Sequence, residues 1–79
     1  MALIKSEKME RILKEKNSIH KETTCRYTSF IGKDGRRYFQ LDTYGSQDRD
    51  MPEKISQSIQ FNEETARVLI DTIKKEFDR

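Results

Sequence analysis

Ile55-Ser56-Gln57-Ser58-Ile59-Gln60-Phe61-Asn62-Glu63-Glu64-Thr65-Ala66-Arg67-Val68-Leu69-Ile70-Asp71-Thr72-Ile73 changes its periodicity once, at Asn62. Before Asn62 the pattern alternates. Ile55, Gln57, Ile59 and Phe61 face one way, and Ser56, Ser58 and Gln60 the other, which predicts a strand over 54–61 with one buried and one open face. After Asn62, the apolar residues Ala66, Leu69, Ile70, Ile73 and Phe77 recur at three- and four-residue steps, which predicts an amphipathic helix. Asn62 suits the N-cap. Glu63 and Glu64 in the first turn and Lys74 and Lys75 near the end suit the helix dipole. A helix with one apolar face following a half-open strand must lie on a sheet. Val68 falls off the apolar face and is a candidate for a dimer contact.

The rest of that sheet is upstream. Residues 23–31 are rich in β-branched and aromatic types and lack Gly and Pro, so they read as a strand. Gly32-Lys33-Asp34-Gly35 reads as a turn, because Asp-Gly supplies positive φ. Residues 36–44 return as the second strand of a hairpin. The loop 45–53 contains Gly45 and Pro52, which keep it irregular. Residues 5–16 read as a short charged helix, capped by Ser6 and carrying the narrow stripe Met9, Ile12 and Leu13. The expectation is therefore one α+β domain over 1–79: an N-terminal helix at 5–16, an antiparallel sheet of about three strands within 23–61, and a covering helix at 62–77.

Length and composition bound the function. Seventy-nine residues make one domain, and 33% hydrophobic against 38% charged leaves a thin core. Such chains often gain stability by self-association, so a homodimer is expected. The net charge is only +2, but residues 1–45 carry ten Lys and Arg against six Asp and Glu, while 46–79 carry six against eight. The basic excess thus falls on the half that holds the hairpin. Cys25 is alone, which excludes an internal disulfide and fits a reducing cytoplasm. No stretch approaches the roughly 20 apolar residues of a membrane span.

The helix can cover only one sheet face. Phe39 and Leu41 share a parity and belong to the core. Cys25, Tyr27 and Ile31 make the better core set on the first strand, with Cys25 read as a small buried hydrophobe. The free face then holds Arg26, Thr28, Phe30, Tyr38, Gln40, Asp42, Tyr44, Ser56, Ser58 and Gln60. Aromatic rings mixed with cations and amides are what sequence-tolerant single-strand binding uses. Lys33, Arg36 and Arg37 at the hairpin tip extend the basic track. Two alternatives stand beside this reading. Phe30 and Tyr38 can form a cross-strand pair that only stabilises the sheet, or the free face can be a dimer interface.

This order of hairpin, polar loop, strand and capped helix resembles the single-strand-binding domain of the eukaryotic transcriptional positive cofactor four and its prokaryotic relatives. The likeness runs from about Arg26 to Phe77. Arg26-Tyr27, the basic tip Lys33-Asp34-Gly35-Arg36, Gln40-Leu41-Asp42-Thr43-Tyr44 and Ser58-Ile59-Gln60-Phe61-Asn62-Glu63-Glu64 resemble that family's strand starts, tip and strand-to-helix junction. The resemblance implies a dimer that presents a basic, aromatic groove to unpaired strands, with Arg26, Lys33, Arg36 and Lys54 supplying charge and Tyr44 near an aromatic position. The family's tryptophan after the second strand has no counterpart at Gly45 and Ser46. Asp48, Asp50 and Glu53 make acidic a loop that is basic there, and Asp42 stands where a basic residue is expected.

Nothing in the chain has the pattern of an enzyme. His20 has no neighbouring ligand for zinc, and Cys25 lacks a histidine partner. Asp42, Asp48 and Asp50 match no calcium loop, and no phosphate-binding glycine motif occurs. No metal or cofactor is expected. The leading expectation is a dimeric binder of single-stranded DNA or RNA, with a role in transcription or other DNA transactions. The alternative is a small adaptor or inhibitor that docks on a larger nucleic-acid enzyme.

Overall fold

A computed structural model describes residues 1–45 and 54–79. Its elements are β1 (Ala2–Ile4), a 3-10 turn (Ser6–Lys8), β2 (Cys25–Ile31), β3 (Arg37–Tyr44), β4 (Ile55–Asn62) and the helix α1 (Glu63–Phe77). Among the described residues the sheet has four strands in the order β1-β4-β3-β2. β2, β3 and β4 form an antiparallel meander, and β1 joins β4 in parallel. The fold is α+β, as the periodicity predicts, with a mixed sheet of four strands instead of an antiparallel one of three.

The hairpin forms where the turn chemistry requires it. Gly35 N–H donates to the Gly32 carbonyl at 3.0 Å, and Gly32 N–H to that of Arg36 at 2.8 Å. Gly35 has φ +77°, a left-handed conformation that costs a residue with a Cβ about 1–2 kcal/mol. The space around it is open, so no steric clash adds to that cost. Gly35→Ala should therefore destabilise the domain by about 1–2 kcal/mol, read as a lower urea midpoint. An unchanged midpoint would mean that the turn relaxes to another type.

The N-terminal segment departs from expectation. In place of a helix over 5–16 there is one 3-10 turn, and residues 9–24 follow without helix or strand. Ile12 and Leu13 are exposed. A helix of about twelve residues is marginal in water without a surface to pack on, and the stripe Met9, Ile12, Leu13 is too narrow to secure one. The segment is tied down by polar contacts. Ser6 N–H donates to Thr65 Oγ at 2.9 Å, and exposed Arg11 pairs with Glu76 at 3.2 Å. Thr65 is the most deeply buried side chain of the described residues. At the helix start, the Thr65 N–H donates to the Asn62 side chain at 2.8 Å, the cap expected from sequence.

Parity puts Phe39, Leu41, Ile59 and Phe61 on the face that α1 covers, with Ala2 and Ile4 of β1 beside the last two. Phe61 is the best-buried apolar side chain. The cover is partial, because Ile70 is 58% exposed, Ile73 45% and Phe77 85%, and across the sheet Tyr27 is 73% and Ile31 70% exposed. The radius of gyration, 14.9 Å, exceeds the about 12 Å of a compact chain this long. The expected apolar helix face exists, yet much of it meets no other part of the chain. Cys25, expected in the core, is exposed, since it lies on the edge strand β2. No helix among the described residues is long and apolar enough to cross a membrane.

One strand position is inverted. The β3–β4 register shifts between Thr43 and Tyr44, so that Thr43 faces Gln57 and Tyr44 faces Ile55. The extra residue, Ser56, is a β-bulge, and a bulge reverses the facing of what precedes it. Ile55 therefore leaves the core face predicted by strict alternation and joins the open one.

Candidate nucleic-acid interface

The face opposite α1 is organised in three zones by the strand register. At the hairpin end, Phe30 and Tyr38 are directly opposed, with ring centroids 5.6 Å apart and planes at 24°. Tyr38 is held from three sides. Its hydroxyl donates to Asp34 Oδ2 at 2.5 Å, and a Cβ placed on Gly32 would lie 2.7 Å from its ring. The absence of a side chain at Gly32 is what lets the ring lie across the turn. Asp34 Oδ1 also accepts from the Arg36 N–H at 3.0 Å. Lys33 and Arg36 stand exposed on this braced tip.

These contacts shift both acids of the tip. The Tyr38 hydroxyl, and then the Arg36 N–H, hold the Asp34 carboxyl below its ordinary range. The Asp34 carboxylate in turn raises the Tyr38 hydroxyl above its own. A depressed carboxyl stabilises the fold above its unfolded value of about 3.9, and that contribution disappears as pH falls through the folded value. The raised phenol contributes below about pH 10, until pH climbs through its folded value. Asp34→Asn should therefore remove the acid-limb dependence of the hairpin, followed by the Gly35 amide resonance. An identical acid titration in wild type and variant would contradict the assignment.

The centre is polar and hydrogen-bonded. Gln60 Nε2 donates to Gln40 Oε1 at 2.7 Å, Gln40 Nε2 to Asp42 Oδ1 at 2.9 Å, and Ser58 Oγ to the same Oδ1 at 2.5 Å. Asp42 and Ser58 are buried, although they lie on the face without a helix. Asp42 is thus an internal acceptor that aligns two glutamines. At the far end the Arg26 guanidinium lies over the Tyr44 ring, 5.1 Å from its centroid. Tyr44 is buried and so offers no free ring to a ligand, which corrects its expected role.

Of the residues expected to bind, Arg26, Phe30, Tyr38 and Gln40 come together on this face with the covered Tyr44. Lys33 and Arg36 occupy its tip. Lys54 is exposed just before β4. Arg37 does not join them. It is the first residue of β3, pairs with Ile31, and shares the parity of Phe39. It lines a small hollow with Phe39, Phe61 and Ala66 on the helix side. With Arg36 it also lines a hollow beside Asn62, Glu63 and Glu64 at the start of α1.

Sequence reasoning did not select Ser58, Gln60, Leu3 or Ile55 for the site. The alternation of β4 signalled Ser58 and Gln60. Three residues of β1 gave no periodic signal for Leu3, and the bulge hid Ile55. Among the described residues no three His, Cys, Asp or Glu side chains could hold a metal ion. Asp48 and Asp50, like the acidic loop 46–53 as a whole, lie outside those residues. Comparison of the chain with protein-family models, with curated proteins and with solved structures gave no match.

Proposed function

We propose that this chain binds single-stranded nucleic acid across the open sheet face and works as a homodimer. The observation that carries the reading is the convergence of a ring pair, Phe30 and Tyr38, with Arg26 on a face clear of the helix and with the exposed cations Lys33 and Arg36 at its hairpin end. Bases stack on exposed rings for about 1–3 kcal/mol each, while the cations neutralise phosphates. Phe30 is the accessible ring, since Tyr38 is braced from behind by Gly32 and Asp34. The exposed apolar residues on the helix side give a second copy something to cover, and pairing two sheets would lengthen the track. The sequence resemblance to the positive cofactor four domain is a further support for this reading.

The test is a titration of an unstructured oligonucleotide at two salt concentrations. Phe30→Ala should weaken binding by about 1–3 kcal/mol with the salt slope unchanged. Lys33→Gln with Arg36→Gln should flatten the slope by about one to two units, because two phosphate contacts are lost. Lys74→Gln, in the last turn of α1, serves as the control and should leave both quantities alone. If the folded wild-type protein binds no oligonucleotide at low salt, the reading fails, and a protein-docking adaptor that uses the exposed helix face takes its place.

A further inference from the structure

β2 is the unguarded edge of the sheet. It is seven residues long, Cys25–Ile31, all of them exposed, and among the described residues no strand pairs with its outer side. The opposite edge, β1, has three residues. Edge strands are ordinarily blunted by proline, lysine, a bulge or shortness. β2 has none of these. Its register with β3 runs without interruption from Cys25 to Ile31, and Arg26 is its single charge.

Successive residues of an antiparallel strand send their N–H and C=O groups to alternate sides. The Thr24 carbonyl accepts from the Tyr44 N–H at 3.1 Å, and the Gly32 N–H donates to the Arg36 carbonyl at 2.8 Å. Thr24, Arg26, Thr28, Phe30 and Gly32 therefore bond inward to β3. Cys25, Tyr27, Ser29 and Ile31 direct their main-chain groups outward, a row that can receive another strand.

The row is complementary to itself. Turned about a two-fold axis at Thr28, a second β2 pairs antiparallel with the first along its whole length. Cys25 then faces Ile31 of the second copy and Tyr27 faces Ser29, and the converse, each pair exchanging two bonds, about eight in all. Moving the axis to Tyr27 or Ser29 leaves one end of each strand unmatched. The side chains agree with the register. Thr28 meets Thr28, a favourable cross-strand pair. Arg26 meets Phe30 and lies about 14 Å from its own copy, beyond the roughly 8 Å over which exposed charges act on each other. Tyr27 and Ile31 of both copies gather on the helix side.

We propose that two copies of this chain join through β2 in that register and form one continuous sheet. The proposal rests on the homodimer reading above and assigns its contact. The axis stands perpendicular to the sheet, so both copies of α1 lie on one face and both open faces on the other. Across the seam, Arg26 of one copy stands beside the Phe30–Tyr38 pair of the other, which gives each ring pair a neighbouring cation.

The experiment is disulfide trapping in the full chain. Thr28→Cys, combined with Cys25→Ser, sets two thiols on Cα atoms about 4.5 Å apart, within disulfide reach. Mild oxidation should move most of this variant to a dimer band on a non-reducing gel. Wild type is the control, because its Cys25 thiols, although exposed, lie about 20 Å apart in this register and should stay unlinked. Ser29→Pro is the second test. It removes an outward N–H and no bond to β3, so circular dichroism should show the fold intact. The dissociation constant of the dimer should rise about a hundredfold, since each copy leaves one carbonyl of the other unpaired. A wild-type dimer whose Thr28→Cys variant links no better than Cys25 overturns the seam and leaves the homodimer in place. So does a folded Ser29→Pro variant that associates as tightly as wild type. Should Ser29→Pro unfold, the trapping result decides alone. Wild-type protein that stays monomeric in light scattering removes the seam together with the homodimer.

Discussion

Phe61→Ala is expected to unfold the domain or bring it close to unfolding. Phe61 is 5% exposed, pairs with Phe39 on β3 and Ile4 on β1, and lines the helix-side hollow with Ala66. It is the place where three strands and the helix meet. Truncating a buried Phe costs about 3–5 kcal/mol. A chain of 79 residues has a total stability of roughly 4–12 kcal/mol, so one substitution removes a large share of it and, toward the lower end of that range, all of it. Ile73→Ala is the comparison. Ile73 is half exposed in the single chain, and on that basis its truncation should cost much less than the same change at a closed core position. Urea titration of both variants, followed by circular dichroism, checks the order. A Phe61→Ala midpoint close to that of wild type would mean that the core lies elsewhere.

The second large effect concerns association. Ile70→Glu with Ile73→Glu should convert a dimer to a monomer, because two buried, unpaired carboxylates in an apolar contact cost far more than the contact gains. In the monomer both positions are solvent-facing, so the substitutions by themselves should be tolerated. If the two copies act together on one strand, affinity for a long oligonucleotide should fall by about 10²–10⁴. Affinity for one short enough to meet a single protomer should change little. Light scattering and titration on the same samples test both halves. Wild-type protein that scatters as a monomer at tens of micromolar, an order-of-magnitude concentration for weak self-association, contradicts the dimer. A dissociated variant with undiminished affinity for the long strand contradicts the shared track.

The failures of sequence reasoning have physical causes that differ by residue. The stripe Met9, Ile12, Leu13 has helical spacing, but spacing records only which side chains would share a face if a helix formed. Whether it forms depends on a surface to bury them, and the exposed Ile12 and Leu13 have none. Ala2–Ile4 is too short to display a period, and its strand conformation comes from pairing with β4, a long-range event. Tyr44 has the parity predicted for it, yet the guanidinium of Arg26 covers its ring. Parity says which way a side chain leaves the backbone and nothing about what lies on top of it.

The sequence by itself determined the hairpin, the last strand and the capped helix, since each follows from local chemistry: Asp34-Gly35 for the turn, alternation for the strand, and Asn62 with the spacing of Ala66, Leu69, Ile70 and Ile73 for the helix. It also determined which residues of β2 and β3 share the open face, because facing follows strictly from position along an unbroken strand. Only the tertiary structure decided the fourth strand, the inversion of Ile55, and the relay from Gln60 through Gln40 to Asp42. Those depend on register between strands far apart in the chain. A shift of one residue moves every side chain to the other face, and no local pattern in β4 marks where its single bulge falls.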